Sequence, residues 1–471
     1  MKIVGLITEY NPFHAGHLYH MQQARELTGA DYCVVLMSGS FVQRGEPAIF
    51  DKYLRTKTAL LSGADLVLEI PAAFSTASAH EFAAYGVALL SAIGVDAVVF
   101  GSECGQIEWL KKAAYMLNHE SPEFQARLQA GLKEGLTYPQ ARARALEQTL
   151  PENAAAFQQS GKTGNTMFHP DIFKGSSGDV NPETLSSYAW LSVLNSPNNI
   201  LGIEYLRAAE RLHSPMEFYT ISREGSGYHE ESLEETIFPS ASAIRKRIQE
   251  KYDALAAGKS SPGESHFISD TILNTEFHLP AVTCPAYAGA VPVFMDDFSE
   301  LLNAAILQMQ TDGHLSQWTD TGSAMSSIAI ADLSLELAAR LAKQPYRPLS
   351  FEERIQTLKT RQLTYTRVSR ALLHLVLEMR EDDVSRWKEE GYALYARILG
   401  FRRQSSPLLS CLHKKSSIPL ITKMADAAQL LTPSALALLR QEVYASHLYQ
   451  TVRMKRGGVF QNEYTEGLVF I

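Results

Sequence analysis

His14 and His17 stand three residues apart in the string "HAGH", with Gly16 between them. At the first turn of a helix that spacing puts both imidazoles on one face, pointing the same way. A glycine between them lets a ligand approach the backbone closely. A helix start also offers free N–H groups and a partial positive charge, both suited to phosphate. Two imidazoles over such a site can donate hydrogen bonds to a polyphosphate as charge builds on a leaving oxygen. That is electrostatic stabilisation of a transition state, and it needs no covalent intermediate.

Such a pair acts only if the chain holds it at the right place. "KIVGLI" precedes the motif and "HLYHMQQARELTG" follows from its second histidine, which reads as a first strand handing over to a first helix. The runs "MKIVGLIT", "DYCVVLMS", "ADLVLEIP" and "VDAVVFGS" are rich in Val, Ile and Leu and end near Gly, Ser or Pro. They predict buried strands of a parallel sheet. Amphipathic stretches lie between them, so the fold class is α/β with a doubly wound parallel sheet. In such sheets ligands bind at the carboxyl ends of the strands, near the switch in strand order. "TEYNPFHAGH", "SGSFVQRGEPA" and "GSECG" all fall at strand ends. "EFYTIS" predicts a further strand, and from about Met295 onward the chain reads as helical.

Two familiar phosphate loops are absent. "SGKTG" at 160–164 lacks the first glycine of a Walker A loop, because position 156 is Ala. No G-x-G-x-x-G follows the first strand, which counts against a dinucleotide-binding dehydrogenase.

The net charge of −8 hides an asymmetry. From Tyr346 to Ile471 there are 19 Lys+Arg and 12 Asp+Glu, a net of +7, and the preceding 345 residues carry −15. A basic region on an acidic body suggests a polyanion partner. "KTRQLTYTRVSRALLH" packs Lys359, Arg361, Arg367 and Arg370 around Tyr365; "ARILGFRRQ" adds Arg397, Arg402 and Arg403, and "CLHKKSS" adds Lys414 and Lys415. Basic residues with an interleaved aromatic suit a nucleic-acid surface.

The 471 residues allow roughly two to four domains. The expected division is 1–255 as the α/β catalytic domain, 256–290 as a Gly/Ser/Pro-rich linker or insertion, and 291–471 as a mainly helical basic domain. Cys33, Cys104, Cys284 and Cys411 are far apart and form no C-x-x-C, so neither a zinc ribbon nor a disulfide framework is expected. No apolar stretch approaches the ~18 residues of a membrane helix and no signal peptide is seen, so a cytoplasmic protein is expected.

"HAGH" after a first strand resembles the H-x-G-H signature of the nucleotidyltransferase superfamily, whose members direct attack on the α-phosphate of ATP and release pyrophosphate. The longer "GLITEYNPFHAGHLYH" is similar to the bacterial tRNA(Met) cytidine acetate ligase family. "SGSFVQRGEPAIFDKYLRTKTAL", "GADLVLEIP", "FGSE", "NNILGIEYL", "ISREGSGYH" and "KTRQLTYTRVSRALLH" continue the match in order along most of the chain. The resemblance implies a nucleotidyltransferase-like, HUP-type N-terminal domain.

It also implies residues. His14 and His17 would be catalytic. Ile7, Thr8, Glu9, Tyr10, Asn11, Pro12, Phe13, His14, Ala15, Gly16, His17, Leu18, Tyr19 and His20 would bind ATP, together with Gly101, Asn198 and Arg223. Asn198 and Asn199 also read as a helix cap, and an Arg at position 223 can bridge phosphate oxygens with a rigid fork. Gln43 and Arg44, on a loop aimed at the site, are expected to contact substrate or phosphate. "SASAIRK" is similar to a phosphate-binding helix start of related enzymes, which nominates Ser242 and Arg245, although Ala243 stands where a hydroxyl residue is common. Lys359, Arg361, Arg367, Arg370, Arg402 and Arg403 would hold tRNA.

The implied reaction joins acetate to the α-phosphate of ATP, then passes the acetyl group to N4 of the wobble cytidine of elongator tRNA(Met). Mg2+ is expected with the ATP because it neutralises polyphosphate charge, with no protein metal cluster. Composition and spacing alone reach only an ATP-using α/β enzyme with a basic helical region. Two rivals stay open at this level: a nucleotidyltransferase of cofactor biosynthesis, and an RNA-binding protein with an inactive nucleotide site.

Overall fold

Strand-forming runs and helix-forming runs alternate through the first hundred residues; the longer strands build one sheet, and a short hairpin at 41–47 pairs only with itself. The computed structural model describes residues 1–136, 138–149, 193–223, 240–256, 277–313 and 329–471. "SGKTG", the stretch around Gly258 and the part of "ISREGSGYH" beyond Arg223 lie outside the described residues.

The strands are β1 (Ile3–Thr8), β2 (Tyr32–Ser38), β3 (Phe41–Val42), β4 (Glu46–Pro47), β5 (Leu66–Ile70), β6 (Ala97–Ser102), β7 (Glu217–Ser222), β8 (Ala396–Phe401), β9 (Leu420–Ile421) and β10 (Val469–Phe470). The helices that matter for the site are α1 (Ala15–Thr28), α2 (Lys52–Leu61), α3 (Ala79–Ala92), α4 (Pro197–Arg211), α5 (Ala241–Ala256), α6 (Tyr365–Val376) and α7 (Pro433–Lys455).

The sheet order is β10-β8-β5-β2-β1-β6-β7. The five strands from β5 to β7 are parallel, with β1 pairing β2 on one side and β6 on the other. The chain order therefore reverses at β1, and the crevice between the carboxyl ends of β1 and β6 is the switch point. Helices cover both faces, which is why the strands read as almost continuous apolar runs. Ile3, Val34, Leu36, Leu68 and Val98 face one core, and Val4, Leu6, Val35, Met37 and Val99 face the other. The period-2 alternation sorts the side chains.

The mainly helical C-terminal region also supplies strands. β8 pairs antiparallel to β5, and β10 pairs parallel to β8, so this region completes the edge of the N-terminal sheet. The first core runs on without a break into Leu337, Phe351, Leu372 and Tyr449. "ARILGF" is a buried strand and not a surface basic cluster, because Arg397 is neutralised inside the fold. Its guanidinium pairs with Glu69 and Glu463, and Lys52 on α2 pairs with Glu69, Glu463 and Glu442 in the same buried nest. Gly400 is required there: a Cβ would stand 2.5 Å from the carbonyl oxygen of Val469. Among the described residues no helix is long and apolar enough to cross a membrane.

Candidate nucleotide-binding site

β1 ends at Thr8, and the chain turns through Glu9–Phe13 into α1, whose N-cap is His14. The two histidines of "HAGH" cap that helix reciprocally. The Gly16 N–H donates to His14 Nδ1 at 3.1 Å, and the His14 N–H donates to His17 Nδ1 at 3.3 Å. This is a capping box built from imidazoles. Because each Nδ1 accepts a backbone N–H, each ring carries its proton on Nε2. The rings lie 3.8 Å apart between centroids. The pair is thus fixed as two Nε2–H donors above a helix N-terminus.

Burial, and after it the cations Arg223 and Arg245, lowers His14 from its ordinary 6.5 to about 3. Burial and then His14 hold His17 well below its ordinary value, and burial and Arg223 lower His20 to about 4. All three rings are neutral at pH 7. His20 also lines the cleft, and its buried Nε2 has no hydrogen-bond partner among the described residues.

The cleft, about 190 Å³, opens between β1, α1, the ends of β6 and β7, and the start of α4. Ile7, Thr8, Glu9, Gly16 and Tyr19 form one wall with the three histidines. Gly101, Asn198 and Arg223 form the other. A Cβ on Gly101 would sit 3.3 Å from Arg223 Cγ, so the glycine keeps the floor open beside the arginine. Phe100, Leu201, Tyr205, Ile221 and Ser222 also line the cleft. These were not nominated from sequence; strand-end and helix-face positions of ordinary apolar type carry no local signal.

The other members of the 7–20 run hold the loop instead of lining the cleft. Tyr10 and Phe13 pack edge to face in the core at 4.7 Å. Asn11 Oδ1 accepts the Ile49 N–H, the Ala15 N–H donates to the His278 carbonyl, and Leu18 packs on the second core. Pro12 is likewise buried.

The asparagines act differently from the capping expectation. Ser196 is the N-cap of α4, and Glu103 closes the helix start by accepting the N–H groups of Asn198 and Asn199. Asn198 Nδ2 donates to Glu103, and Asn199 Oδ1 accepts the Cys104 N–H. Glu103 ends the "FGSE" string, the signal that could have found it.

The loop between β3 and β4 meets the cleft residue Glu9. The Gln43 N–H donates to Glu9 Oε1 at 2.9 Å, and Arg44 lies close enough to act on the same carboxyl. From α5, Arg245 donates to the Asn11 carbonyl at 2.9 Å and to Ser242 Oγ at 3.3 Å. Arg245 and His278 both act on His14. His278, in the segment read as linker, had no sequence signal.

The basic residues divide. Lys359, Arg361 and Arg367 are exposed around the start of α6. Arg370 is half-buried, its Nε 3.1 Å from Asp332. Arg402 and Arg403 lie elsewhere. The Arg402 N–H donates to the Asp65 carbonyl and its Nε to the Leu60 carbonyl, just before β5 begins. Arg403 stacks over Phe470 at 5.8 Å. That is the amino end of the parallel strands, the end opposite His14. Among the described residues no group of three His, Cys, Asp or Glu side chains comes together as a metal site.

A doubly wound sheet with paired imidazole donors at its switch point defines a nucleotidyltransferase-like protein. A family model described as HIGH Nucleotidyl Transferase matches residues 1–462. The tRNA(Met) cytidine acetate ligase of Acetivibrio thermocellus is 35% identical over 455 residues, covering 95% of this chain and 94% of that protein. The one from Caldicellulosiruptor bescii is 32% identical over 473 residues, covering 100% and 99%. The crystal structure of Thermotoga maritima TmcAL bound with alpha-thio ATP matches with a TM-score of 0.75 at 28% identity over 100% of both chains. Its apo form matches with a TM-score of 0.77 at 29% identity, again over 100% of both chains. The chain belongs to the tRNA(Met) cytidine acetate ligase family of HIGH nucleotidyl transferases.

Proposed function

We propose that this protein is an ATP-dependent ligase that activates acetate as acetyl-adenylate and transfers the acetyl group to N4 of the wobble cytidine of elongator tRNA(Met). The observation that carries the chemistry is the reciprocal cap of His14 and His17, which leaves two neutral Nε2–H donors aimed from a helix N-terminus into a cleft faced by Arg223.

In the first half-reaction acetate attacks the α-phosphate and pyrophosphate leaves. His14 and His17 donate to the phosphate oxygens that gain charge, and the N–H groups at the start of α1 add to that field. Arg223 and Arg245 hold the anion, with Ser242 beside Arg245. The apolar wall of Phe100, Leu201 and Tyr205 suits a purine, and Gly101 admits it. Gln43 and Arg44 place the acetate or the cytidine. A magnesium ion on the triphosphate would supply charge neutralisation.

In the second half-reaction AMP is displaced by the cytidine amine. The exposed bases Lys359, Arg361 and Arg367 on and before α6 form the proposed RNA face, with Arg370 anchoring it through Asp332. Arg402 and Arg403 would join it only for an RNA that wraps to the other end of the sheet. We read 1–255 as the catalytic region, 256–290 as the connection and 291–471 as the RNA-binding region. In support, α6 lies in the last of these and β1 to β7 in the first.

The test is an acetylation assay with ATP, labelled acetate and bulk bacterial tRNA, resolving product nucleosides by mass. N4-acetylcytidine that requires all three components is the expected result. Pyrophosphate exchange driven by another acid, with no modified nucleoside, would overturn the reading.

A further inference from the structure

Among the described residues Glu9 is the one carboxylate lining a cleft built for anions. A carboxylate beside a triphosphate is repulsive, so its presence needs a reason. Glu9 sits just past β1, between the paired histidines and the loop from Phe41 to Pro47. One carboxyl oxygen accepts the Gln43 N–H at 2.9 Å, and Arg55 on α2 donates to the Glu9 backbone carbonyl at 2.7 Å. Arg44 and Glu46 face it from the loop, Arg245 from α5 and Tyr205 from α4. The same loop rests on α6: the Ser369 hydroxyl donates to the Gly45 carbonyl at 2.9 Å. Glu9 is therefore the side chain that meets both the nucleotide cleft and the loop packed on the buried side of α6, the helix that carries part of the proposed RNA face.

The histidines cannot serve as the base for acyl transfer. Nδ1 of each is occupied by a backbone N–H, and Nε2 of each carries the proton. His20 lies about one turn further along α1, and the hydrogen bond from that loop goes to Glu9.

We propose that Glu9 is the catalytic base of the second half-reaction. This rests on the ligase reading above. The amine nitrogen forms a bond to the acetyl carbonyl carbon. The bond from that carbon to the phosphate oxygen breaks, and AMP leaves with its electron pair. The proton shed by the amine goes to the Glu9 carboxylate. An exocyclic cytidine amine is weakly basic because its lone pair is delocalised into the ring, so proton removal must accompany bond formation. Burial raises Glu9 from its ordinary value against the lowering by the Gln43 N–H and by Arg245 and Arg44. That brings a carboxylate closer to the proton affinity that general-base work requires.

The experiment compares wild type with Glu9→Gln, which keeps the acceptor oxygen for Gln43. Acetate-dependent ATP–pyrophosphate exchange and single-turnover acetyl transfer to tRNA are both followed as a function of pH. The expected result is that transfer falls about 100-fold or more relative to exchange, and that the acid limb of the transfer rate disappears. Glu9→Asp, which keeps a carboxylate but withdraws it, retains that limb and loses less; it carries the test should Glu9→Gln fail to fold. A ratio of transfer to exchange equal to wild type overturns the base role, whether both rates fall or neither does. A wild-type protein that makes no acetylcytidine overturns the ligase reading instead, and the base role with it.

Discussion

Gly45 is seated directly on the backbone of Arg370. A Cβ at Gly45 would stand 2.6 Å from the Arg370 amide nitrogen, and Gly45 has φ +76°. The turn that carries Gln43 and Arg44 towards the cleft is thus pressed onto the helix that carries the exposed arginines. Gly45→Ala faces both a left-handed backbone and a clash with main chain. The expected cost is about 2–4 kcal/mol of stability, read by denaturant unfolding. Acetyl transfer to tRNA should fall more than acetate-dependent exchange. Equal losses would mean that the contact only holds the fold.

His14→Ala and His17→Ala should each lower adenylate formation about 100-fold or more, the scale of losing one donor to a developing charge. Affinity for tRNA should stay within threefold. The same substitutions remove a helix cap, at a cost of about 1 kcal/mol. Exchange assays and unfolding curves separate the two effects. Full exchange activity in both variants would end the histidine mechanism.

Acid should destabilise the fold through these imidazoles. His14 and His20 are neutral in the folded state down to about 3 and about 4, whereas in the unfolded chain they take up protons near 6.5. Protons therefore bind the unfolded state first, and stability falls as pH drops from about 6.5 towards those values, by up to about 1.4 kcal/mol per unit for each ring. Unfolding at pH 7 and pH 4.5 should show a smaller loss for His20→Asn than for wild type. Identical slopes would show that His20 does not titrate this way.

Arg361→Ala with Arg367→Ala should weaken tRNA binding and flatten its dependence on the logarithm of salt concentration by roughly one to two. Arg403→Ala, at the far end of the sheet, should change affinity less than threefold. Filter binding over a salt series reads both. A larger effect from Arg403 would mean that the RNA wraps around the molecule.

Lys52→Met should destabilise the protein by about 3–5 kcal/mol, because three carboxyl groups would remain buried around Arg397 alone. Denaturant unfolding checks it. A loss below about 1 kcal/mol would show that the buried carboxyl nest does not depend on the lysine.

Gly101→Val should raise the KM for ATP at least tenfold while tRNA affinity stays within threefold. Its side chain would enter the floor of the cleft beside Arg223. An unchanged KM would place the nucleotide elsewhere.

Much of this was legible in the chain. β1, β2, β5 and β6 are continuous apolar runs because both faces of a parallel sheet are covered, and such runs announce themselves locally. "HAGH" was readable for a related reason: a helix cap and a catalytic pair made of the same two residues must sit at one spacing. β8 was not readable. Arg397 looks like a surface charge until Glu69 and Glu463, distant in sequence, are folded around it. His278 was equally silent, since nothing within a few residues of it marks a cleft.

The sequence by itself therefore determined the alternation of strands and helices, the position of the histidine pair at a strand end, and the excess of positive charge towards the C-terminus. These are properties of neighbours along the chain. The tertiary structure alone decided which basic residues share a face, that Glu9 meets both the cleft and the loop on α6, and that the last strands close the first sheet. Those depend on contacts between segments hundreds of residues apart, where burial and pairing, not local pattern, set what each side chain can do.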